Sequence, residues 1–326
     1  MPKIEKSKIK RILVITLSNI GDIVLTTPVV EALLREYPEA MLDIIAGPGG
    51  YEVFKKHGKI SEVIIYDKKS SFLGKLRFFL GLWKKRYDFV VDLRNTVLPF
   101  LLGARYNTNP FRRDSKRNIH KKDVHLSRLK DMGIDTSGAS FYLSIDESDR
   151  KYIEDTLAPL GGKPFVVVSP GAKSHVKRWP LKNFAKLSDM IKQNLGYETV
   201  LVGDEYDKVV TQRILHLMKA KPLNLAEKTN IRQLAYLIKK SSLVITNDSA
   251  PLHVASAMDA RVLAFFGPTD EKKYGPATKA PSKVLRKKMG CAPCEVAQCV
   301  NVGNKYECLK AITVEEAFEA VKELLL

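Results

Sequence analysis

Phe165-Val-Val-Val-Ser-Pro-Gly-Ala-Lys-Ser-His-Val-Lys-Arg-Trp-Pro180 is the stretch whose reading decides the fold. Phe165–Ser169 is a short apolar, β-branched run, which suits a strand buried on both faces. A Gly-containing loop follows, and Leu181–Leu195 then carries apolar residues at helical spacing. A strand running through a loop into a helix is the repeating unit of a parallel α/β sheet. Lys173, His175, Lys177 and Arg178 all fall in this loop. Cations at the carboxyl end of a strand suit a diphosphate, although an exposed basic loop has the same composition.

The same rhythm extends outward in both directions. Upstream, strands are expected at Arg11–Leu17, Met41–Ala46, Glu62–Tyr66 and Asp88–Leu93, with helices such as Val29–Tyr37 and Leu73–Lys85 between them. Downstream, Thr199–Val202, Leu243–Thr246 and Val262–Phe266 read as strands. Tyr206–Lys219, Ile231–Lys239 and Leu252–Met258 read as helices. Thr313–Leu326 reads as a final amphipathic helix capped by Thr313, with Glu315 and Glu316 in its first turn. A chain of 326 residues exceeds what one core usually supports, so two domains are expected. The Pro- and Gly-rich segment Ala158–Pro164 is the expected link. It divides the chain into 1–158 and 159–326, with the last helix a candidate to pack back on the first domain. The expected fold is α/β: two Rossmann-like, doubly wound domains facing across a cleft. Ligands in such sheets bind outside the carboxyl ends of the strands.

The composition, 45% apolar, is that of a soluble globular protein, and no apolar run reaches the length of a membrane span. Lys3, Lys6, Lys8, Lys10 and Arg11 before Ile12–Leu17 imitate a signal peptide. The run is short, however, and Ser18, Asn19 and Asp22 follow at once, so a first buried strand is expected in a cytoplasmic protein. The net charge is +18, and Lys68–Lys130 holds 17 Lys and Arg against 4 Asp and Glu. A patch that basic implies an anionic partner. All four cysteines fall between Cys291 and Cys308, spaced C-x2-C-x4-C-x8-C. Clustered cysteines in a cytosolic chain suggest a metal site more than disulfides, so Cys291, Cys294, Cys299 and Cys308 are a candidate structural set.

Three further loops could carry chemistry. Ser18-Asn-Ile-Gly-Asp22 ends the first strand, and Gly21 allows close approach to a ligand. Asp22 there is either a general base or a helix cap. Thr246-Asn-Asp-Ser-Ala-Pro-Leu-His253 ends a strand and opens a helix, with Asp248 or Ser249 as its cap and Pro251 in its first turn. Such a turn is a phosphate site or simply a well-capped helix. Asp248 would repel phosphate and suits sugar hydroxyls better. Phe266-Gly-Pro-Thr-Asp270 marks a turn without specific chemistry. No H-E-x-x-H, G-x-S-x-G or D-x-D pattern occurs.

These loops together resemble glycosyltransferase family 9, the ADP-heptose:lipopolysaccharide heptosyltransferases. The resemblance runs through Ser18–Pro28, Tyr87–Leu93, Ser169–Ala172 with Lys177–Pro180, Asn247–His253 and Phe266–Asp270. It implies a GT-B fold with acceptor bound by the first domain and donor by the second. It also implies inversion at the anomeric carbon without metal or cofactor. By position, Asp22 is the implied base and Lys177 the group that stabilises the leaving diphosphate. Gly171, Lys173, Arg178, Gly203, Asp204, Thr229, Asp248, Ser249, Ala250 and His253 are implied on the donor side. Ser18, Asn19, Gly21 and Arg94 are expected on the acceptor side. Ala250 departs from the family, where many members carry Gly. The implied partners are ADP-heptose or a related nucleotide sugar, a phosphorylated lipid A–core acceptor, and the anionic inner face of the cytoplasmic membrane, which the basic patch suits. Another nucleotide sugar is the alternative donor. A nucleic-acid-binding protein would also explain the charge, but no helix-turn-helix, zinc-finger or RNP pattern is present, and nucleic acid is not expected as a partner.

Overall fold

The structure, a computed structural model, describes residues 4–67, 69–109 and 118–326. The sequence periodicity is realised as two parallel sheets. In the first, β1 (Arg11–Ile15), β2 (Met41–Ala46), β3 (Glu62–Ile65), β4 (Phe89–Asp92) and β5 (Tyr106–Asn107) lie in the order β3-β2-β1-β4-β5. In the second, β6 (Phe165–Ser169), β7 (Glu198–Leu201), β8 (Leu223–Asn224), β9 (Leu243–Asn247), β10 (Val262–Phe265) and β11 (Ser282–Leu285) lie in the order β11-β10-β9-β6-β7-β8. In each sheet the first strand sits inside, with the chain winding away from it in both directions. The point of reversal lies between β1 and β4 in one sheet and between β6 and β9 in the other. There, helices cross to opposite faces and the strand ends are left open to ligand.

The chain divides into two compact units, Met1–Ser144 and Ile145–Leu326. The Ala158–Pro164 segment expected as the link therefore lies inside the second unit. Helix Glu147–Leu157 precedes it and is fastened there by the buried pair Asp149–Arg232 (2.8 Å) and by buried Ile153. Its Pro and Gly residues instead make a 3-10 turn, Ala158–Leu160, and two left-handed glycines, Gly161 and Gly162, that return the chain to β6. The last helix, Val314–Leu325, buries Ala317, Ala320 and Val321 in the core of the second unit, where the sequence reading had it as a candidate to pack on the first. Its expected Thr313 cap is present as a full capping box with Glu316.

The cores fix the strand-end loops. In the second unit Trp179 is fully buried, stacks on Phe265 at 4.1 Å and donates its indole N–H to the Ile312 carbonyl at 3.0 Å. The loop after β6 is thus anchored at its far end by a large aromatic side chain. At its near end the β6 and β7 loops meet so closely that a Cβ on Gly171 would overlap the Asp207 carboxylate, while Gly203 covers the Cβ of Asp207. In the first unit Leu13, Ile15, Ile45 and Val90 form a cluster with Leu82 and Leu102, against which Phe78, Phe79 and Leu98 pack. Part of the basic Lys68–Lys130 stretch, namely Lys68 and residues 110–117, lies outside the described residues.

Helix Lys121–Lys130 carries a buried histidine, His125, whose Nδ1 has no hydrogen-bond partner among the described residues. Burial, then the Lys121 and Arg128 cations, push its pKa from 6.5 down to about 3. The unfolded chain takes up a proton near pH 6.5 that the folded chain refuses. Stability is therefore complete above that value and falls as the pH drops towards 3. Between pH 7 and pH 5 the loss is about 2 kcal/mol from this group, read as a shift in urea midpoint. His125→Asn removes that part of the pH slope, and an identical slope in the variant would show that another group carries it. The Gly171 contact gives a second expectation. Gly171→Ala costs about 1–3 kcal/mol by overpacking against Asp207, and most of that loss disappears in the Gly171→Ala, Asp207→Ala double variant. Additive losses would show that the two residues do not collide.

Candidate functional site

Ser169 pairs in register with Thr246, so the loops that follow β6 and β9 leave the second sheet side by side at its point of reversal. Asn247, the last residue of β9, is fully buried and clips the two together. Its Nδ2 donates to the carbonyls of Pro170 (2.8 Å) and Gly171 (3.3 Å), and its Oδ1 accepts from the Trp179 amide (2.9 Å). One side chain thereby closes the loop from both ends. The interior of the loop is a 3-10 turn, His175–Lys177, and it delivers the two basic side chains in different directions.

Lys177 turns to the β9 side. Its ammonium lies 2.6 Å from the Asp248 carboxylate and 5.8 Å from the centre of the Tyr274 ring. Asp248 is buried and also accepts from Thr269 Oγ1 at 2.6 Å. A buried carboxylate needs such partners, and the Lys177 pairing offsets the repulsion that the bare residue would exert on a phosphate. Arg178 turns the other way. Its Nε donates to the Ala172 carbonyl (2.8 Å), and its guanidinium lies 3.8 Å from Asp207. Burial and the neighbouring Asp204 carboxylate hold Asp207 above the usual carboxylate range, against the pull of Arg178. Lys173 is exposed.

Ser249 occupies the N-cap position of helix Ala250–Ala257, with Pro251 in the first turn. Its hydroxyl, however, pairs with Thr246 Oγ1 at 3.1 Å, and no side chain caps the helix. The amide end of this helix thus faces the same strand ends as Lys177, with its dipole positive there. His253 lies buried one turn further along. After β7, Asp204 caps the next turn by accepting from the amides of Tyr206 and Asp207, so its carboxylate already serves the backbone. The Glu227 amide donates to the Gly203 carbonyl (2.9 Å), which brings the chain leading to Thr229 beside this loop. The expected donor-side residues therefore lie in loops at the carboxyl ends of the second sheet's strands or, for Ala250 and His253, in the helix that opens there. Gly171, Arg178, Gly203 and Asp204 gather around Asp207, and Lys177 pairs with Asp248, the residue after the Asn247 clip.

In the first unit Leu93 continues from β4 with its amide on the Ile15 carbonyl (3.0 Å), so the loops after β1 and β4 are likewise neighbours. Asp22 is in the first turn of helix Ile20–Val24, half-exposed, with its Oδ2 accepting from Asn19 Nδ2 at 3.0 Å. The helix cap is Asn19, so Asp22 is not itself the cap. Ser18 is backed by the turn at Gly47, and Gly21 is buried. Arg94 is held by its backbone. The Asp92 carboxylate, fully buried, accepts from the amides of Arg94 (2.7 Å) and Thr96 (2.6 Å) and from the Thr96 hydroxyl (2.7 Å). Arg128 locks the same loop through the Asp92 carbonyl (2.8 Å) and Asn95 Oδ1 (2.6 Å).

None of the four cysteines is in a disulfide. Burial, and after it the nearness of the other three thiols, push Cys308 up. Among the described residues no three His, Cys, Asp or Glu side chains are arranged to hold a metal ion. The segment instead backs the site. Cys308 and Leu309 lie where a Cβ on Gly267 would be, Glu295 donates its amide to the Pro268 carbonyl (2.8 Å), and Tyr306 meets His175 edge-on at 5.8 Å. Sequence reasoning left Asn247, Thr269, Asp92 and Arg128 without roles. Asn247 and Thr269 both stood within quoted motifs, and their position at strand ends was the available signal.

The chain is similar over most of its length to proteins of one family. The family described as glycosyltransferase family 9 (heptosyltransferase) matches residues 76–304. Lipopolysaccharide heptosyltransferase 3 of Escherichia coli K12 is 30% identical, over 79% of this chain and 83% of that protein. Lipooligosaccharide heptosyltransferase 2 of Haemophilus influenzae is 27% identical, over 96% of this chain and 99% of its own. The solved family 9 glycosyl transferase from Veillonella parvula has a TM-score of 0.82 at 26% identity and covers 97% of both chains. A match of that extent, on a pair of doubly wound units of the GT-B type, means that the chain belongs to glycosyltransferase family 9 and is a glycosyltransferase.

Proposed function

We propose that this protein is an inverting heptosyltransferase that moves heptose from ADP-heptose to a hydroxyl of the lipopolysaccharide inner core. The carrying observation is Lys177, a cation fixed between Asp248 and Tyr274 at the reversal point of the second sheet. The amide end of helix Ala250–Ala257 lies uncapped at the same edge. The relatives named above, which are heptosyltransferases of lipopolysaccharide and lipooligosaccharide, support heptose as the sugar.

In this reading the second unit binds the donor and the first the acceptor. Ser249 and Ala250 offer backbone amides to the nucleotide diphosphate, beside the loop that Gly171 lets close against Asp207. Lys173 and Arg178 add positive charge, with Gly203, Asp204 and Thr229 towards the adenosine and Asp248 and His253 towards the sugar. Ser18, Asn19, Gly21 and Arg94 hold the acceptor. The Asp22 carboxylate takes the proton of the acceptor hydroxyl as its oxygen bonds to the anomeric carbon. The bond from that carbon to the phosphate oxygen breaks on the opposite side, inverting the centre, and ADP leaves with the electron pair. Charge then grows on the diphosphate, where an ammonium shared with Asp248 can shift towards the leaving oxygen. A preorganised cation of this kind stabilises the transition state more than bound donor. The reaction needs no cofactor, and in this reading no metal. It takes place in the cytoplasm at the inner face of the membrane, where the phosphorylated acceptor sits.

Two measurements test these roles. Asp22→Asn keeps the shape and removes the base. Turnover falls about 10²–10⁴-fold while thermal stabilisation by ADP-heptose is retained, and near-wild-type turnover would remove Asp22 from the chemistry. Lys177→Ala lowers kcat about 10²–10³-fold and raises donor KM less. Arg178→Ala, whose side chain serves Ala172 and Asp207, affects KM more than kcat. The reverse ranking would transfer the leaving-group role to Arg178.

A further inference from the structure

The helix Phe72–Lys84 has two apolar faces and only one is used. Phe78, Phe79 and Leu82 pack on the sheet cluster around Leu13 and Ile15. Leu82 is the only residue of the helix that is fully buried. A neighbouring stripe, Phe72, Leu73, Leu76, Leu80 and Trp83, recurs at three- and four-residue spacing and so forms one continuous ridge. Phe72 is 80% exposed, Leu73 75% and Trp83 53%. Large apolar side chains aligned in this way are a patch, and a patch of this kind marks a binding surface. The short helix Leu98–Leu101 also packs on that cluster, through Leu98, and leaves Val97, Phe100 and Leu101 exposed.

The charge around the ridge selects what covers it. From Lys69 to Arg86 there are six cations and no acid. Lys85 is spent on Asp43 and Glu62. By helical spacing Arg77 and Lys84 run along the edge of the ridge that faces away from the sheet. A second copy seated face to face would set these cations against themselves. An anionic bilayer accepts both parts of the surface, with apolar side chains entering the acyl boundary and cations meeting headgroup phosphates. Trp83, one of two tryptophans in the chain, has the amphipathic ring that favours the membrane–water boundary. Thirteen residues are too few to span a bilayer, and no helix among the described residues is long and apolar enough to do so, so the helix would lie flat on the surface.

We infer that the exposed face of Phe72–Lys84 is the membrane-docking surface of this protein, seated on anionic phospholipid. This inference deepens the peripheral-membrane part of the proposed function by naming the residues that make the contact. The test is co-sedimentation with phosphatidylethanolamine–phosphatidylglycerol vesicles against pure phosphatidylcholine vesicles, without donor or acceptor. The wild type binds the anionic vesicles preferentially. Leu73→Glu with Trp83→Glu, and separately Arg77→Glu with Lys84→Glu, each lower the bound-to-free ratio at least about tenfold, with thermal midpoints unchanged because all four side chains are exposed. Unchanged binding in both variants, equal binding to phosphatidylcholine, or a wild-type dimer that these substitutions dissociate would each overturn the inference. Turnover on a deacylated, water-soluble acceptor reports separately on the transferase reading, and both variants retain it.

Discussion

The buried side-chain amide of Asn247 is the interaction on which the geometry of the second unit's strand-end loops depends. It satisfies three backbone groups of the loop that follows β6, while its own backbone ends β9. Left unpaired in a dry interior, those groups would each cost more than the bond itself contributes. The amide also has a direct geometric effect. With the Trp179 amide held on one side and Pro170 and Gly171 on the other, the intervening turn is fixed at both ends and presents Lys177 to Asp248. Buried Trp179 then ties that turn to the core through Phe265 and Ile312. Sheet topology, aromatic packing and one polar clip together place an ammonium where two strands of opposite winding separate.

The electrostatics follow from that placement. Neighbouring cations in a loop usually compete for one role, but here they are divided. Lys177 is paired with the buried Asp248, and Arg178 is taken up by a backbone carbonyl and Asp207. Asp248 is in turn oriented by Thr269 from the loop after β10, and the cysteine-containing segment braces that loop from behind. The first unit repeats the device with different residues. Buried Asp92 and Arg128 shape the loop carrying Arg94, and the β1 loop alongside presents Asp22. In the second unit the half-exposed residue proposed for chemistry is positioned by buried polar residues beneath it, whereas in the first Asp22 accepts from exposed Asn19.

Most of the fold was legible because parallel strands are buried on both faces and appear as short β-branched runs. Phe165–Ser169 and Met41–Ala46 fall where the pattern predicts. The strands that escaped, Tyr106–Asn107, Leu223–Asn224 and Ser282–Leu285, are short or lie at a sheet edge, where burial imposes little pattern. The domain boundary was misplaced because Pro and Gly signal the end of a helix as strongly as the end of a domain. The fastening of helix Glu147–Leu157 by Asp149 and Arg232 depends on residues about eighty positions apart. The site loops were visible as small and charged residues at strand ends. The different directions of Lys177 and Arg178, and the support from Asn247 and Thr269, were not, since they arise from loops that meet only in the folded sheet.

The central claim is that these strand-end loops catalyse heptose transfer from an ADP-linked donor. Mass spectrometry of truncated lipopolysaccharide inner core, incubated with this protein and ADP-heptose and in parallel with UDP- and GDP-sugars, tests it most directly. The account predicts addition of one heptose with ADP-heptose alone, and release of ADP in equal amount. Transfer from a UDP- or GDP-sugar, with the ADP-heptose mixture unchanged, would contradict it.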